Sequence, residues 1–355
     1  MVFYLSILGI IGFLDIISKF QKRKSIHWLC WCFVCLYVLF LACFRAESVG
    51  TDLVNYKENF KVWGQLSFRD VFRVINSDIG FVLYNWLVGH LCSHMYFFII
   101  CSAVITMVPV YITLHKYSHN PFMSLYLYIC LGYLACTFNL VRQAIAISVL
   151  LYSYRYIVEK KTFKYFLCVI IAASFHKTAL IAVLICFFIN ENRTHIRLLK
   201  SLLLLFSVIA VTFIGMSAFV DLYNINDYSN AIVTGEGIPL LMLYILLGVC
   251  FYMIQKCPGK ETKEERQLEW RNLFTIYMIG VIVQISAVGF ALLNRLTTYF
   301  MVFVVIFIPN ILENMKDIRE RTIAKIAIYG LYTLWFIYEL YNDYSGIVPY
   351  AFMWS

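Results

Sequence analysis

Charge is scarce in this sequence: Asp, Glu, Lys and Arg together make up only 14% of its 355 residues. Soluble domains carry about 25%, so a soluble enzyme is excluded. Proline is scarce too, six in all, and no acidic tail, low-complexity tract or polar appendage interrupts the chain. Without a linker at which to divide it, the chain reads as one domain, 1–355. What it has instead is apolar, with 62% hydrophobic residues that include 30 Phe, 26 Tyr and 7 Trp. A bilayer accommodates that excess, whereas a soluble core of this size would not. The apolar runs approach twenty residues, the length of a spanning helix and about twice that of a barrel strand. The expected class is all-α: a polytopic integral membrane protein.

Two features that suggest other chemistry have simpler readings. The net charge of +9 does not point to nucleic acid, because the basic residues gather in short clusters between apolar runs. The twelve cysteines lie almost entirely inside apolar runs, and Cys32-Phe-Val-Cys35 has no polar flank. They read as small buried hydrophobes, and neither a metal nor another cofactor is expected.

The runs fall at 2–18, 26–44, 79–93, 95–115, 122–137, 139–158, 165–175, 177–190, 201–220, 238–255, 272–290, 292–312 and 325–342. The first has no basic residue before it, contains Asp15 and is followed by its positive charges, so it reads as a span and not a cleavable signal. Twenty of the 29 Lys and Arg sit in six loops, around Lys22, Lys116, Lys161, Arg197, Lys263 and Arg319. The positive-inside rule places all six in the cytoplasm. Parity then requires that 79–93 not cross. At about 22 Å it is shorter than the ~30 Å hydrocarbon core, which fits a re-entrant or interfacial helix. Conversely, 165–190 must go out and back in 26 residues, so its bend at Ser174-Phe175-His176-Lys177 lies at membrane depth. Irregular backbone there is tolerated only where it lines protein or water. About twelve transmembrane helices result, with both termini outside.

The segment 45–78 falls on the extracytoplasmic side. Leu53, Tyr56, Phe60 and Trp63 recur at helical spacing, as do Phe68, Val71, Phe72 and Ile75, which predicts two amphipathic helices on the interface. Within this segment Gly50 permits a turn, Thr51 or Asp52 can cap the first helix, and Asp78 can cap the helix beginning at 79.

Four cations, Arg45, Arg142, Lys177 and Arg295, come from four separate segments, yet the topology puts them all at or below the outer boundary. Cations there are costly and serve pathways or anionic ligands; alternatively they snorkel or pair with Glu47, Asp52 or Asp78. Asn139 and Asn294 precede two of the arginines and can cap the helices that carry them. His176 stands at the forced break beside Lys177, where a neutral imidazole can act as a general base. Asp52 is a second candidate. His90 and His94 have the i, i+4 spacing of metal ligands but no third partner, and read as interfacial packing. The outer loop 221–237, with Asn226-Asp227-Tyr228, is polar and aromatic, and reads as an ordinary turn.

Taken in order, Arg45…Gly50-Thr51-Asp52…Tyr56, Gly80-Phe81, Arg142-Gln143-Ala144-Ile145-Ala146, Phe175-His176-Lys177-Thr178-Ala179-Leu180 and Arg295…Tyr299 resemble the EpsG/Wzy-like family of polysaccharide polymerases. The resemblance departs at Asp78, where that family would carry Glu, and at Lys177-Thr178. It implies an enzyme of a bacterial plasma membrane that joins oligosaccharide repeat units carried on undecaprenyl pyrophosphate, at its outer face and without a cofactor. It further implies that Arg142 and Arg295 hold the diphosphate with help from Arg45, that His176 activates the acceptor, and that Gln143, Tyr56, Lys177 and Tyr299 contribute to binding. A flippase and a chain-length regulator would be its partners, along with membrane lipid. A flippase of lipid-linked oligosaccharide would use a similar cavity but show internal repeats, and none is found. An O-antigen-ligase-like glycosyltransferase shares the chemistry, and an acyltransferase would need His176 nearer the cytoplasm.

Overall fold

A computed structural model describes residues 1–20, 23–73, 78–189, 195–197, 199–208, 238–256, 264–287, 293–343 and 345–355. The named elements are helical: α1 (Val2–Phe20), α2 (Lys24–Cys43), α3 (Leu53–Trp63), α4 (Phe68–Val71), α5 (Ile79–Leu91), α6 (Met95–Tyr117), α7 (Pro121–Cys130), α8 (Tyr133–Asn139), α9 (Val141–Val158), α10 (Thr162–Phe175), a 3₁₀ segment (Lys177–Val183), α11 (Leu184–Phe188), α12 (Ile238–Lys256), α13 (Glu264–Ala287), α14 (Asn294–Met301), α15 (Val304–Asn314) and α16 (Ile318–Asn342). No strand occurs among the described residues, where an isolated bridge joins Arg45 to Phe352. The all-helical class expected from the apolar runs is therefore observed.

Among the described residues three helices, α2, α6 and α16, are each long and apolar enough to cross a bilayer, and the bent pairs α7–α8 (54°) and α14–α15 (43°) bring the number to five if each pair is one span. Several of the remaining helices are short. α5 has 13 residues, about 20 Å of rise, less than a hydrocarbon core. α10 stops at Phe175; His176 is extended (φ −154°, ψ 110°) and the chain resumes as a tight 3₁₀ turn. This is the break expected at 174–177.

α9 lies centrally, against α6 on one side and α10 on the other, while α1 packs on α2 and α7. The chain ends converge. Tyr4 donates to the Ile347 carbonyl (2.8 Å) and Tyr350 to that of Leu41 (2.8 Å). Ala46 N donates to Ala351 O and Met353 N to Phe44 O, both at 2.9 Å. The start of α1, the end of α2 and the segment after α16 thus share one end of the fold. At the opposite end Asn120 and Tyr329 donate to the Asp15 carboxylate, at 3.4 and 3.5 Å.

Of the two amphipathic helices expected within 45–78, the first forms over its expected residues and the second does not. α3 buries Leu53, Tyr56 and Phe60, with Phe60 against Phe98 of α6. The second amphipathic helix shrinks to the single turn of α4, where Val71 is buried but Phe68 and Phe72 are exposed. Ile75 lies outside the described residues. α3 and α5 run parallel in register: Tyr56 meets Phe81 (ring centroids 5.5 Å), and eight residues on Gly64 meets Gly89, where a Cβ on Gly64 would lie 3.1 Å from the Gly89 Cα. A Cβ on Gly89 would overlap the Gly64 Cα, so Gly89→Ala is expected to cost about 1–3 kcal/mol through overpacking. A lowered thermal midpoint of the detergent-solubilised protein checks this; an unchanged midpoint would mean that the two helices separate freely.

Candidate active site

A helix broken in mid-course leaves backbone groups without partners, and here one of them organises the site. The Lys177 N–H, freed where α10 ends, donates to Oδ1 of Asp78 (3.1 Å). Asp78 occupies the N-cap position of α5 but makes no side-chain cap bond, so the capping role expected for it is replaced by this one. Its other oxygen, Oδ2, accepts from Arg142 Nη1 (3.1 Å) and stands 3.5 Å from Nδ1 of His176, long for a hydrogen bond but well within ion-pair range. Asp78 is only 5% exposed. Gly80 brings α5 close enough for these contacts: a Cβ there would sit 2.9 Å from the Ser174 carbonyl carbon.

Around this carboxylate the two arginines are presented differently. Arg142 lies in the first turn of α9, its guanidinium 5.9 Å from the centre of the Phe81 ring and its side chain 36% exposed. Tyr56 is packed behind it; burial pushes that phenol above its ordinary range while Arg142 opposes the shift. Arg295 is exposed in the first turn of α14. Both guanidinium groups are close enough to act electrostatically on the His176 ring.

Cross-links hold the elements in place. Gln143 of α9 donates to the Arg295 carbonyl (3.1 Å) and to Thr298 Oγ1 (3.0 Å), joining the two arginine-bearing turns. Tyr299 of α14 is hydrogen-bonded to Thr178 Oγ1 (2.7 Å), two residues after His176. Gln143 and Tyr299 are buried. They brace the elements that carry the site, as does buried Tyr56. Lys177 contributes its N–H to Asp78, and its residue is exposed.

Arg142, Arg295, His176 and Lys177 are therefore brought together, and Arg45 is not. Arg45 is 0% exposed; Nη1 donates to Ala42 O (2.7 Å), Nη2 to Phe138 O (3.4 Å), and the guanidinium lies 5.0 Å from the Phe138 ring centre. Asp52 takes the N-cap position of α3 without a side-chain cap bond, and its carboxylate acts on the phenol of Tyr56, one side chain removed from Arg142. Neither asparagine caps as expected. Asn139 Oδ1 accepts from Asp52 N (2.8 Å) and Thr51 Oγ1 (3.1 Å), and the N-cap of α9 is Leu140. Asn294 accepts from Gln284 Nε2 (2.7 Å), with Leu293 at the N-cap of α14. His90 contacts the Trp86 carbonyl and His94 accepts from Tyr96 N. The loop 221–237 lies outside the described residues. Asp78, which the sequence offers both as a cap and as a partner for an outer arginine, takes the second of those roles and also holds the Lys177 backbone.

Chemically, the arrangement offers two guanidinium groups for an anion and an imidazole whose Nδ1 faces a buried carboxylate. A proton on Nδ1 leaves Nε2 as the basic nitrogen. No curated protein and no solved structure matches the chain. A family model described as "EpsG family" matches residues 28–352.

Proposed function

The chain belongs to the EpsG family, a family of Wzy-like polymerases, and from that premise we propose that it joins oligosaccharide repeat units carried on a lipid diphosphate, undecaprenyl pyrophosphate, into exopolysaccharide, capsule or O-antigen. The reading sets the reaction at the outer face of a bacterial plasma membrane. The observation that carries it is the shared carboxylate of Asp78, which holds Arg142 and the backbone of Lys177 and faces His176.

In this reading the donor diphosphate lies against Arg142 and Arg295, whose planar forks suit phosphate oxygens. His176 Nε2 takes the proton of the acceptor hydroxyl, the hydroxyl oxygen bonds to the anomeric carbon, and the bond from that carbon to the diphosphate oxygen breaks. The electron pair leaves on the lipid diphosphate, whose charge the two arginines stabilise, so the step needs neither metal nor nucleotide. The topology we attach to it has about twelve crossings with both termini outside. The convergence of residues 4, 41–46 and 347–353 at one end supports it, because α1, α2 and α16 then begin or finish on the same side.

The test is reconstitution in vesicles with lipid-diphosphate-linked repeat units. A ladder of polymer lengths with release of lipid diphosphate is expected, and Arg142→Ala should reduce the rate by on the order of 10²-fold, the scale of losing one charge-stabilising donor. Units that cross the bilayer without being joined would overturn the proposal in favour of a flippase. Transfer of one unit and no ladder would make the protein a ligase.

A further inference from the structure

α3 and α5 run side by side away from the site. At its start α5 has Asp78, bonded to Arg142, and then Phe81, which lies under that guanidinium and against Tyr56 of α3. At the far end Gly64 and Gly89 meet. The rise along α5 from Asp78 to Gly89 is about 16 Å. Where the two glycines touch, neither helix has a side chain to fill the angle between them, and a groove of about 730 Å³ opens there, lined by Lys61, Val62, Gln65, Leu66 and Ser93 besides the glycines. One wall is pinned, because Trp86 Nε1 donates to the Leu66 carbonyl (3.0 Å). Lys61, Gln65 and Ser93 are exposed.

A polar path joins this groove to the site. Asn55, Glu58, Lys61 and Gln65 recur every three or four residues along α3 and the turn after it, and all four are exposed, so they share one face that leads from beside Tyr56 to the groove. The lining offers an ammonium and an amide as donors, an amide oxygen and a hydroxyl as acceptors, and Val62 and Leu66 for apolar contact. A sugar presents the counterpart: hydroxyls that both donate and accept, set on a C–H framework. Resting on the polymerase reading, we propose that this groove is a glycan subsite, which holds the part of the polymer lying several sugar residues from the bond being made. An acyl chain would follow an unbroken apolar stripe, whereas here Val54 and Val62 are interspersed with Asn55, Glu58, Lys61 and Gln65.

Two readouts separate the groove from the reaction. In vesicles holding this protein alone, Lys61→Ala/Gln65→Ala should raise the KM for lipid-diphosphate-linked chains of several units about ten-fold, the scale of one or two lost hydrogen bonds, while the KM for a single linked unit stays within about two-fold. The ladder then stops at shorter lengths. Both positions are exposed, so the fold tolerates the change. An unchanged KM for chains would overturn the subsite, and so would an equal rise for single units, which would put Lys61 and Gln65 at the reaction itself. The second readout needs no reaction. Benzoylphenylalanine in place of Ser93, irradiated with lipid-free oligomers of the surface glycan from cells that carry the protein, should capture chains of several units several-fold better than single units, and Lys61→Ala/Gln65→Ala should remove that preference. Capture by a protein that makes no ladder would keep the subsite and sink the polymerase reading. A ladder without capture would sink the subsite and keep the polymerase.

Discussion

Asp78→Asn should yield a folded protein that makes no high-mass polymer, with a rate lower by on the order of 10²–10⁴-fold, the range spanned by a well-placed proton-transfer group. The substitution is nearly isosteric, so the volume at position 78 and the close approach of Gly80 to Ser174 are unchanged. What changes is the set of groups the side chain can satisfy. The Lys177 N–H needs an acceptor at 3.1 Å, and Arg142 needs one on the other oxygen. An amide has one acceptor oxygen and one donor nitrogen. If the oxygen serves Lys177, the –NH₂ faces the guanidinium of Arg142 and Nδ1 of His176, and the imidazole is pushed toward the tautomer whose Nε2 is protonated and cannot take a proton. If the oxygen serves Arg142, the helix break loses its anchor. His176→Ala should reproduce the loss of polymer while leaving the Arg142–Asp78 pair in place, and Asp78→Glu should recover part of the activity. The measurement is the glycan ladder on a gel, with protein level checked in each strain. Expression at wild-type level with a normal ladder in Asp78→Asn would remove the carboxylate from the mechanism.

That hub also marks the limit of what the sequence makes legible. Run lengths and the spacing of basic loops lead to an all-helical membrane protein, and they locate the break near His176, because two arms too short to cross leave the chain no other place to turn. These are local or one-dimensional constraints. Asp78 is different: an Asp just before a helix has the same appearance whether it caps that helix or reaches across the fold, and its partners are 64 and 99 residues away. Asn139 misleads in the same way, since its side chain serves the turn at Thr51-Asp52 and not the helix next to it. The short α4 has a packing cause. An amphipathic pattern makes a helix only where a surface receives its apolar face, and the neighbouring helices receive Val71 but leave Phe68 and Phe72 uncovered.

Arg45 shows the same limit from the other side, and the second large effect is expected there. Sequence places it with the other outer arginines, but the fold covers it with the chain that follows α16: Ala46 and Met353 form backbone bonds across it, and Phe352 bridges to it. Its partners are two carbonyls and the face of Phe138, and no carboxylate is among them. Arg45→Ala therefore leaves a cavity and strips the Ala42 and Phe138 carbonyls of a donor, a loss of about 2–4 kcal/mol, read as a lower thermal midpoint and less protein in the membrane. Arg45→Met fills most of the volume and removes a buried cation whose desolvation had no ionic compensation, so it should recover much of that stability. The pair of variants separates two roles that a single alanine would confuse. If Arg45 is a structural pin, Arg45→Met makes polymer in proportion to the protein present. If it holds the diphosphate after the terminal segment swings aside, Arg45→Met accumulates as a folded protein without a ladder, and the guanidinium returns to the site beside Arg142 and Arg295.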